Sequence, residues 1–256
     1  MTPNNNITTL AELAIAMPAA IGVFERLGID FCCHGDQTIH AASAAAGLTA
    51  SELLALINRE PAPAEERSWS TASMAEMIRF IVDTHHRYTR DAISRLPALA
   101  QKVHDVHHER HPELANVARI TGELAAELFP HMLKEEQVLF PYITALEQAI
   151  ANGDEPPTPF FGTVKNPVRM MMTEHETAGE MLAELRVLTN GYELPADACT
   201  SYRILYQRLG ELEGDLHRHI HLENNVLFPR ALSAEETVPA PQFAVAAGSC
   251  GGHCNH

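Results

Sequence analysis

A duplicated motif constrains this chain more than any other feature. The stretch HMLKEEQVLFP occupies residues 131–141, and HIHLENNVLFP follows at residues 219–229, so both read H-x3-E-x4-F-P. A histidine and a glutamate four residues apart lie on the same face of an α-helix. Each copy therefore predicts a helix that presents an imidazole and a carboxylate together, a pair that can bind a metal ion.

A single histidine precedes each copy of the motif at a similar distance. His85 comes 46 residues before His131, and His175 comes 44 residues before His219. His85 continues an apolar stripe with the i, i+3, i+4, i+7, i+8 spacing of a buried helix face, so we expect it to point inward and His86 to point away. Two such halves predict four helices with a pooled set of donors. The predicted metal ligands are His85, His131, Glu135, His175, His219 and Glu223.

The donor set indicates a pair of ions. Four imidazoles and two carboxylates inside a helical bundle would be costly to bury without a cation. Four histidines allow two for each of two ions, and the two carboxylates can bridge them, which leaves open positions for solvent, an oxo group or a diatomic molecule. Mixed nitrogen and oxygen ligands favour iron or manganese, whereas a structural zinc site would favour cysteine in a closed shell.

Composition indicates a helical protein and excludes some partners. Apolar residues make up 46% of the chain, and β-branched runs are scarce, which favours helices. The formal net charge of −15 argues against a nucleic-acid partner, because binding phosphates requires a basic surface. The chain has neither a recognisable secretory signal nor an apolar run long enough to cross a membrane. We therefore expect a cytoplasmic protein with no membrane partner, and an odd count of five cysteines fits a reducing compartment.

Changes in composition along the chain divide it into four parts. A proline-containing, charged stretch with little apolar patterning separates a small helical segment from the predicted bundle. After the second motif the apolar pattern fades into a tail that we expect to be flexible. The predicted parts are an N-terminal domain at 1–58, a linker at 59–72, the four-helix bundle at 73–232 and the tail at 233–256.

Local signals predict the starts of helices and the direction of single side chains. Pro97 should kink or end its helix, and Glu136 should face solvent. Glu174, beside His175, is either surface charge or an outer partner of a ligand. Capping boxes that begin helices are predicted at Thr9 with Glu12, Thr49 with Glu52 and Ser73 with Glu76.

Cysteines and further histidines suggest additional chemistry. Vicinal Cys32 and Cys33 either pack a loop as small hydrophobes or act as a reactive, metal-exchanging pair, although such a pair holds one metal poorly without a third ligand. Residues 102–112 carry four histidines but no matching carboxylate spacing, so we expect a solvated connection there. Short Cys/His tracts can also bind zinc, iron or copper. The tail holds such a set in Cys250, His253, Cys254 and His256.

Several of these stretches together resemble a known family. They are DFCCHG at 30–35, VDTHH at 82–86, both copies of the motif, TEHETAGEML at 173–182 and HLENNVLFPRAL at 221–232. Across roughly residues 7–233 the chain resembles the RIC family of di-iron proteins, of the YtfE and ScdA types, which repair iron–sulfur clusters.

The resemblance implies a fold, a cofactor and a function. It implies an all-α protein in which a small helical ScdA-like domain precedes a hemerythrin-like up-down four-helix bundle. The bundle would hold two non-haem iron ions, bridged by an oxo group and carboxylates, on the same six residues that the spacing predicts. The family's cysteine pair falls on Cys32 and Cys33, which would serve as iron-transfer thiols. The function implied is repair of clusters damaged by nitric oxide or oxidants, by donation of iron.

Other functions of the same centre remain open at this point. The expected partners are nitric oxide or oxygen species, damaged iron–sulfur proteins and a second copy of the chain in a homodimer. One alternative is a binding protein that captures nitric oxide and lowers its free concentration. An enzymatic alternative is reduction of nitric oxide to nitrous oxide, although we favour a non-enzymatic role. Oxygen carriage fits less well, because the cysteine-bearing domain would be unexplained.

Overall fold

Helices make up the described architecture. The computed structural model describes residues 9–61, 69 and 71–238. Within these ranges the chain forms α-helices and π-helical segments, with an isolated β-bridge between Thr9 and Thr38 and no strand. The prediction of an all-α fold, a helical bundle behind a small helical N-terminal domain, is confirmed. The tail residues from Cys250 onward lie outside the described residues.

Four short helices form the N-terminal unit. Capping boxes predicted at Thr9 with Glu12 and at Thr49 with Glu52 begin the first and the fourth of them. Their apolar faces enclose a core that includes Leu13, Phe24 and Leu53. The helices are α1 (Leu10–Ala16), α2 (Ala19–Leu27), α3 (Ile39–Ala45) and α4 (Ala50–Ile57).

Four long helical arms form the bundle, and a π-helical segment interrupts three of them. Neighbouring arms contact one another in sequence and the last contacts the first, which closes the bundle. The first arm joins α5 (Met74–Phe80), π1 (Ile81–His86) and α6 (Arg87–His107). The second joins α7 (Leu114–Lys134), π2 (Glu135–Leu139) and α8 (Phe140–Asn152). The third is α9 (Lys165–Leu188), and the fourth joins α10 (Thr200–Leu222), π3 (Glu223–Leu227) and α11 (Phe228–Thr237).

The proline of each repeated motif accounts for the position of its π segment. Pro141 and Pro229 stand at the second residue of α8 and α11, directly after π2 and π3. Proline has no N–H to donate to the carbonyl four residues earlier, and its ring crowds that carbonyl. A wider turn at this point relieves the crowding, and such π turns concentrate at functional sites.

Two apolar clusters fill the bundle on either side of a polar layer. One cluster lies toward the α6–α7 turn and includes Val117, Leu182 and Leu209. The other lies toward the opposite end and includes Met77, Ile143 and Leu227. In every arm, the predicted ligand residues lie where the two clusters meet, so hydrophobic core encloses the layer of predicted ligands from both ends.

Packing against the bundle determines the positions of Pro97 and Trp69. Pro97, predicted to kink or end its helix, instead lies within α6, whose buried stripe of Leu96, Ala100 and Val103 offsets the lost hydrogen bond. Trp69 packs on the bundle, since its ring lies 4.6 Å from that of Phe80.

In the described part of the chain, no single helix has the length and apolar character to span a membrane, although the bent pair of α3 and α4 passes that test by length and composition.

Candidate metal centre

Six buried side chains converge at the middle of the bundle. They form two groups of potential metal ligands, in each of which the four donor atoms lie within 4.8 Å of one another. Both groups contain Glu135 and Glu223, so the two carboxylates are shared. One group adds His86 and His219, and the other adds His131 and His175.

The structure corrects one of the predicted ligands. His86, with no exposed surface, points its Nε2 into the centre, so the expectation that it faces away is wrong. His85 is also buried, but its ring stacks on the outside of His219, and its Nδ1 lies 3.0 Å from Asp215. The cause is π1: a π turn brings residues five apart onto one face, so His86 rather than His85 continues the stripe from Ile81.

The two glutamates each face both groups. Oε2 of Glu135 lies 3.4 Å from Nε2 of His86 and 3.4 Å from Nε2 of His131. Glu223 uses its two oxygens separately, with Oε1 2.9 Å from Nε2 of His219 and Oε2 3.2 Å from Nε2 of His175. Both side chains therefore have the arrangement of carboxylates that bridge two ions.

Neighbouring side chains fix the protons of three of the imidazoles. His86 donates from Nδ1 to Glu136 at 2.6 Å, and His131 donates from Nδ1 to Glu174 at 2.8 Å, since a carboxylate can only accept. His175 donates from Nδ1 to Oδ1 of Asn224. In the neutral form that binds metal, the other ring nitrogen of each imidazole, Nε2, carries a lone pair directed into the centre.

Two imidazole lone pairs that face each other at this spacing repel unless a proton or a metal ion lies between them. Nε2 of His131 lies 3.0 Å from Nε2 of His175, and Nε2 of His86 lies 3.1 Å from Nε2 of His219. In addition, both oxygens of Glu135 and one of Glu223 are buried and accept no hydrogen bond. Buried acceptors without partners are rare in native proteins, so the donor set fits two cations bound between imidazoles and shared carboxylates.

The pKa shifts of the buried histidines and glutamates also indicate that the centre requires positive charge. Burial would lower the pKa of His86 and of His131, but Glu135 and Glu223 outweigh it and raise both to about 10. Burial and the charge of Glu223 would raise the pKa of Glu135, yet His131 and His86 hold it at about 2. The two carboxylates therefore stay anionic, and either protons on the imidazoles or bound metal ions balance their charge.

The loop between α2 and α3 lies directly on one side of this centre. Asn224 accepts from His175 Nδ1 at 2.8 Å through Oδ1 and donates through Nδ2 to the backbone oxygen of Cys32 at 3.1 Å. The Cys33 thiol donates to the backbone oxygen of His175 at 3.5 Å. The cysteine loop is therefore in contact with a candidate ligand at two points.

The histidine-rich segment differs in part from its prediction. His108 is exposed, as expected of a solvated connection, but His107 is buried at the end of α6, 3.2 Å from the thiol of Cys199. His111 lies 3.0 Å from Asp197. In the described part of the chain, no group of three or more potential ligands includes these residues.

Sequence reasoning missed two outer partners of the imidazoles, Glu136 and Asn224. Glu136, expected to face solvent, is only 23% exposed because it binds His86 and Arg90. Glu174, considered as an outer partner because it precedes His175, in fact binds His131 and Lys134. Helical periodicity does not identify Asn224 as an outer partner, because its only distinguishing feature in the sequence is its position next to Glu223.

Two family models match this chain, one in the bundle and one in the N-terminal part. The Hemerythrin HHE cation binding domain matches residues 77–231. The ScdA_N domain, a domain of unknown function (DUF542), matches residues 6–60. A probable iron-sulfur cluster repair protein of Haemophilus influenzae is 36% identical over 227 residues, 88% of this chain and 96% of that protein. The iron-sulfur cluster repair proteins YtfE of Musicola paradisiaca and Pectobacterium atrosepticum are each 38% identical over 228 residues, 89% of this chain and 97% of theirs.

Proposed function

Because this chain belongs to the family of iron–sulfur cluster repair proteins and contains their hemerythrin-like domain, we propose that it repairs damaged clusters by donating iron from the His4Glu2 centre. One observation carries the proposal. Two pairs of imidazole Nε2 atoms face each other at 3.0 and 3.1 Å, and both pairs lie beside the same two carboxylates. The residues that would hold a di-iron pair are His86, His131, Glu135, His175, His219 and Glu223.

Iron is both the bound metal and the cargo in this proposal. Bound there, it would supply redox change and open coordination positions for nitric oxide or an oxidant. The residues around it orient the imidazoles, exclude water and place a thiol beside one half of the centre. Cys32 and Cys33 are the proposed thiols through which iron leaves. Free thiols of this kind suit a reducing compartment, so we place the activity in the cytoplasm.

Repair of a damaged enzyme by iron-loaded and iron-free protein tests the proposal. Iron-loaded protein should restore a cluster enzyme inactivated by nitric oxide, and the iron-free form should not. A His86→Ala, Glu135→Ala variant should bind less iron and repair poorly, whereas His85→Gln, altered at the neighbouring buried histidine, should repair nearly as well as the wild type. Equal repair by the wild type and the double variant would rule out iron donation from this centre.

A surface pocket favours nitric oxide capture as the second candidate function. The pocket, about 450 Å³ in volume, is lined mainly by apolar side chains, and its lining includes Glu136 and Phe140. Glu136 hydrogen-bonds His86, and the ring of Phe140 stacks on it at 5.7 Å. An uncharged diatomic molecule can enter such a pocket without the desolvation penalty of an ion.

Counting the iron that remains bound distinguishes capture from donation. The reduced, iron-loaded protein is titrated with nitric oxide, and protein-bound iron, free iron and nitrous oxide are measured. Donation predicts that iron leaves the protein when an acceptor is supplied. Capture predicts stoichiometric uptake of nitric oxide with all iron retained, and nitrous oxide in large molar excess over protein would instead indicate an enzyme.

A further inference from the structure

A third potential ligand stands beside the vicinal cysteines. Donor atoms of Asp30, Cys32 and Cys33 lie within 4.8 Å of one another. The two sulfurs are 3.8 Å apart, and Oδ1 of Asp30 lies 3.3 Å from the sulfur of Cys32. Two adjacent cysteines alone hold one ion poorly, but two thiolates and a carboxylate are three ligands of the types that iron and zinc accept.

The loop holds this carboxylate in place. Oδ1 of Asp30 accepts from the backbone N–H of Cys32 at 3.1 Å and of Cys33 at 2.9 Å, which fixes the turn. His34 holds the other oxygen, Oδ2, at 2.7 Å. The position of the donors is therefore set by the backbone of the loop before any ion arrives.

The thiol of Cys32 resists ionisation unless a cation is present. The hydrogen bond with Cys33, then burial and the charges of Cys33 and Asp30, raise the pKa of Cys32 well above its usual value. A divalent cation would reverse this effect, because a bound metal stabilises thiolates and displaces their protons. A bound metal would therefore convert the thiol of Cys32 into a thiolate ligand.

The loop also lies on one particular half of the metal centre. Asn224 links His175 to the backbone of Cys32, and the thiol of Cys33 lies on the backbone oxygen of His175. Asp30, in contrast, has a side chain that is 41% exposed. The trio thus lies between the His131–His175 half of the centre and the surface that a client protein can approach.

We propose that Asp30, Cys32 and Cys33 form a three-ligand acceptor site for ferrous iron that leaves the His131–His175 half of the centre. The proposal rests on iron donation as the proposed function. In the transfer, the ion exchanges its bonds to imidazole and carboxylate for bonds to two sulfurs and the Asp30 carboxylate. The two thiol protons pass to solvent, and no electron is transferred, since the iron remains ferrous.

Cobalt binding tests whether the site exists. Cobaltous ion is added without oxygen to protein whose bundle centre is already loaded with iron, in a background where Cys199, Cys250 and Cys254 are serine. A thiolate-to-cobalt charge-transfer band should appear, and Asp30→Asn should weaken binding at least about tenfold, since even outer partners of metal ligands contribute 10- to 100-fold. The asparagine oxygen can still accept from both backbone N–H groups, so the turn should persist.

An exposed acid on the same loop supplies the matched control. Asp36→Asn makes the same charge change and should leave cobalt binding unchanged. A cobalt band of equal strength in Cys32→Ser, Cys33→Ser protein would mean adventitious binding only and would overturn the proposal. Failure of the wild type to bind cobalt in this background would do the same.

Transfer kinetics separate this inference from the proposed function. Iron-loaded Asp30→Asn protein should keep the iron content of the wild type and deliver iron to an iron-free acceptor protein more slowly, while Asp36→Asn delivers it at the wild-type rate. If the wild type repairs clusters and Asp30→Asn does so equally fast, the acceptor site is wrong and iron donation stands. If the wild type delivers no iron, donation itself fails, whatever the cobalt result.

Discussion

At the scale of the residue, His85 and His86 are neighbours in sequence with different environments. Only His86 directs Nε2 at the shared carboxylates, whereas His85 stacks on the outside of His219 and binds Asp215. We expect His86→Ala to lower the iron content from about two ions per chain to one or fewer, because its half of the centre loses a ligand. His85→Ala should retain nearly all the iron. Metal analysis of both purified variants checks this, and equal losses would contradict the assignment.

A second residue-scale prediction concerns Glu174. It accepts the Nδ1 proton of His131 and also binds Lys134, so it orients a candidate ligand without touching the metal position. Glu174→Gln should lower iron affinity by about 10- to 100-fold, as loss of an outer carboxylate usually does. Glu176→Gln, an exposed neighbour two residues away, should bind iron like the wild type. Competition with a chelator measures both affinities.

The sequence predicted some of these residues well for a physical reason. His131 with Glu135 and His219 with Glu223 are four residues apart in regular α-helix up to the glutamate, so helical periodicity places each pair on one helix face. His86 follows a π turn, whose extra residue changes the inward face, and periodicity alone cannot show this. The outer partners come from other arms of the bundle, so they depend on tertiary packing.

At the scale of the element, the contact between His107 and Cys199 joins the end of α6 to the start of α10. His107 is buried, and its Nε2 lies 3.2 Å from the thiol. His107→Ala should lower the free energy of unfolding by about 1 to 3 kcal/mol, because it removes a buried polar contact and leaves space. The exposed neighbour substitution His108→Ala should change it by less than about 0.5 kcal/mol. Denaturant unfolding of the two variants is the measurement.

The starts of helices can be predicted from sequence patterns here, whereas the continuity of a helix cannot. The capping boxes at Thr9, Thr49 and Ser73 were visible as sequence and begin helices as predicted. Pro97 was expected to end or kink a helix, yet α6 continues through it, because packing of its apolar stripe outweighs the local preference. Local chemistry fixes helix starts here, whereas helix continuity depends on the core.

At the scale of the whole molecule, close packing fixes the N-terminal unit on the bundle. A Cβ added at Gly35 would lie 2.5 Å from Oδ1 of Asn225 and 3.0 Å from the side chain of Ala11. Asn225 also donates to the backbone oxygen of Phe31, so the contact lies in the interface itself. Gly35→Ala should therefore displace the cysteine loop.

Thiol alkylation reports this displacement. Cys33 should be alkylated about tenfold faster in Gly35→Ala protein, which corresponds to about 1.4 kcal/mol of overpacking strain. Gly22→Ala is the control, because an added Cβ there meets nothing closer than 3.7 Å. Unchanged alkylation in Gly35→Ala protein would show that the loop is not held by this contact.

The four imidazoles of the centre differ in what holds their outer nitrogen. Glu136 and Glu174 accept from two of them, Asn224 accepts from His175, and Nδ1 of His219 is buried without a hydrogen bond. A carboxylate partner makes an imidazole a stronger electron donor than an amide or no partner does. The two copies of the motif are therefore alike in sequence, but their imidazoles have different electronic environments. Mössbauer spectra of the iron-loaded protein should show two distinct quadrupole doublets of equal area.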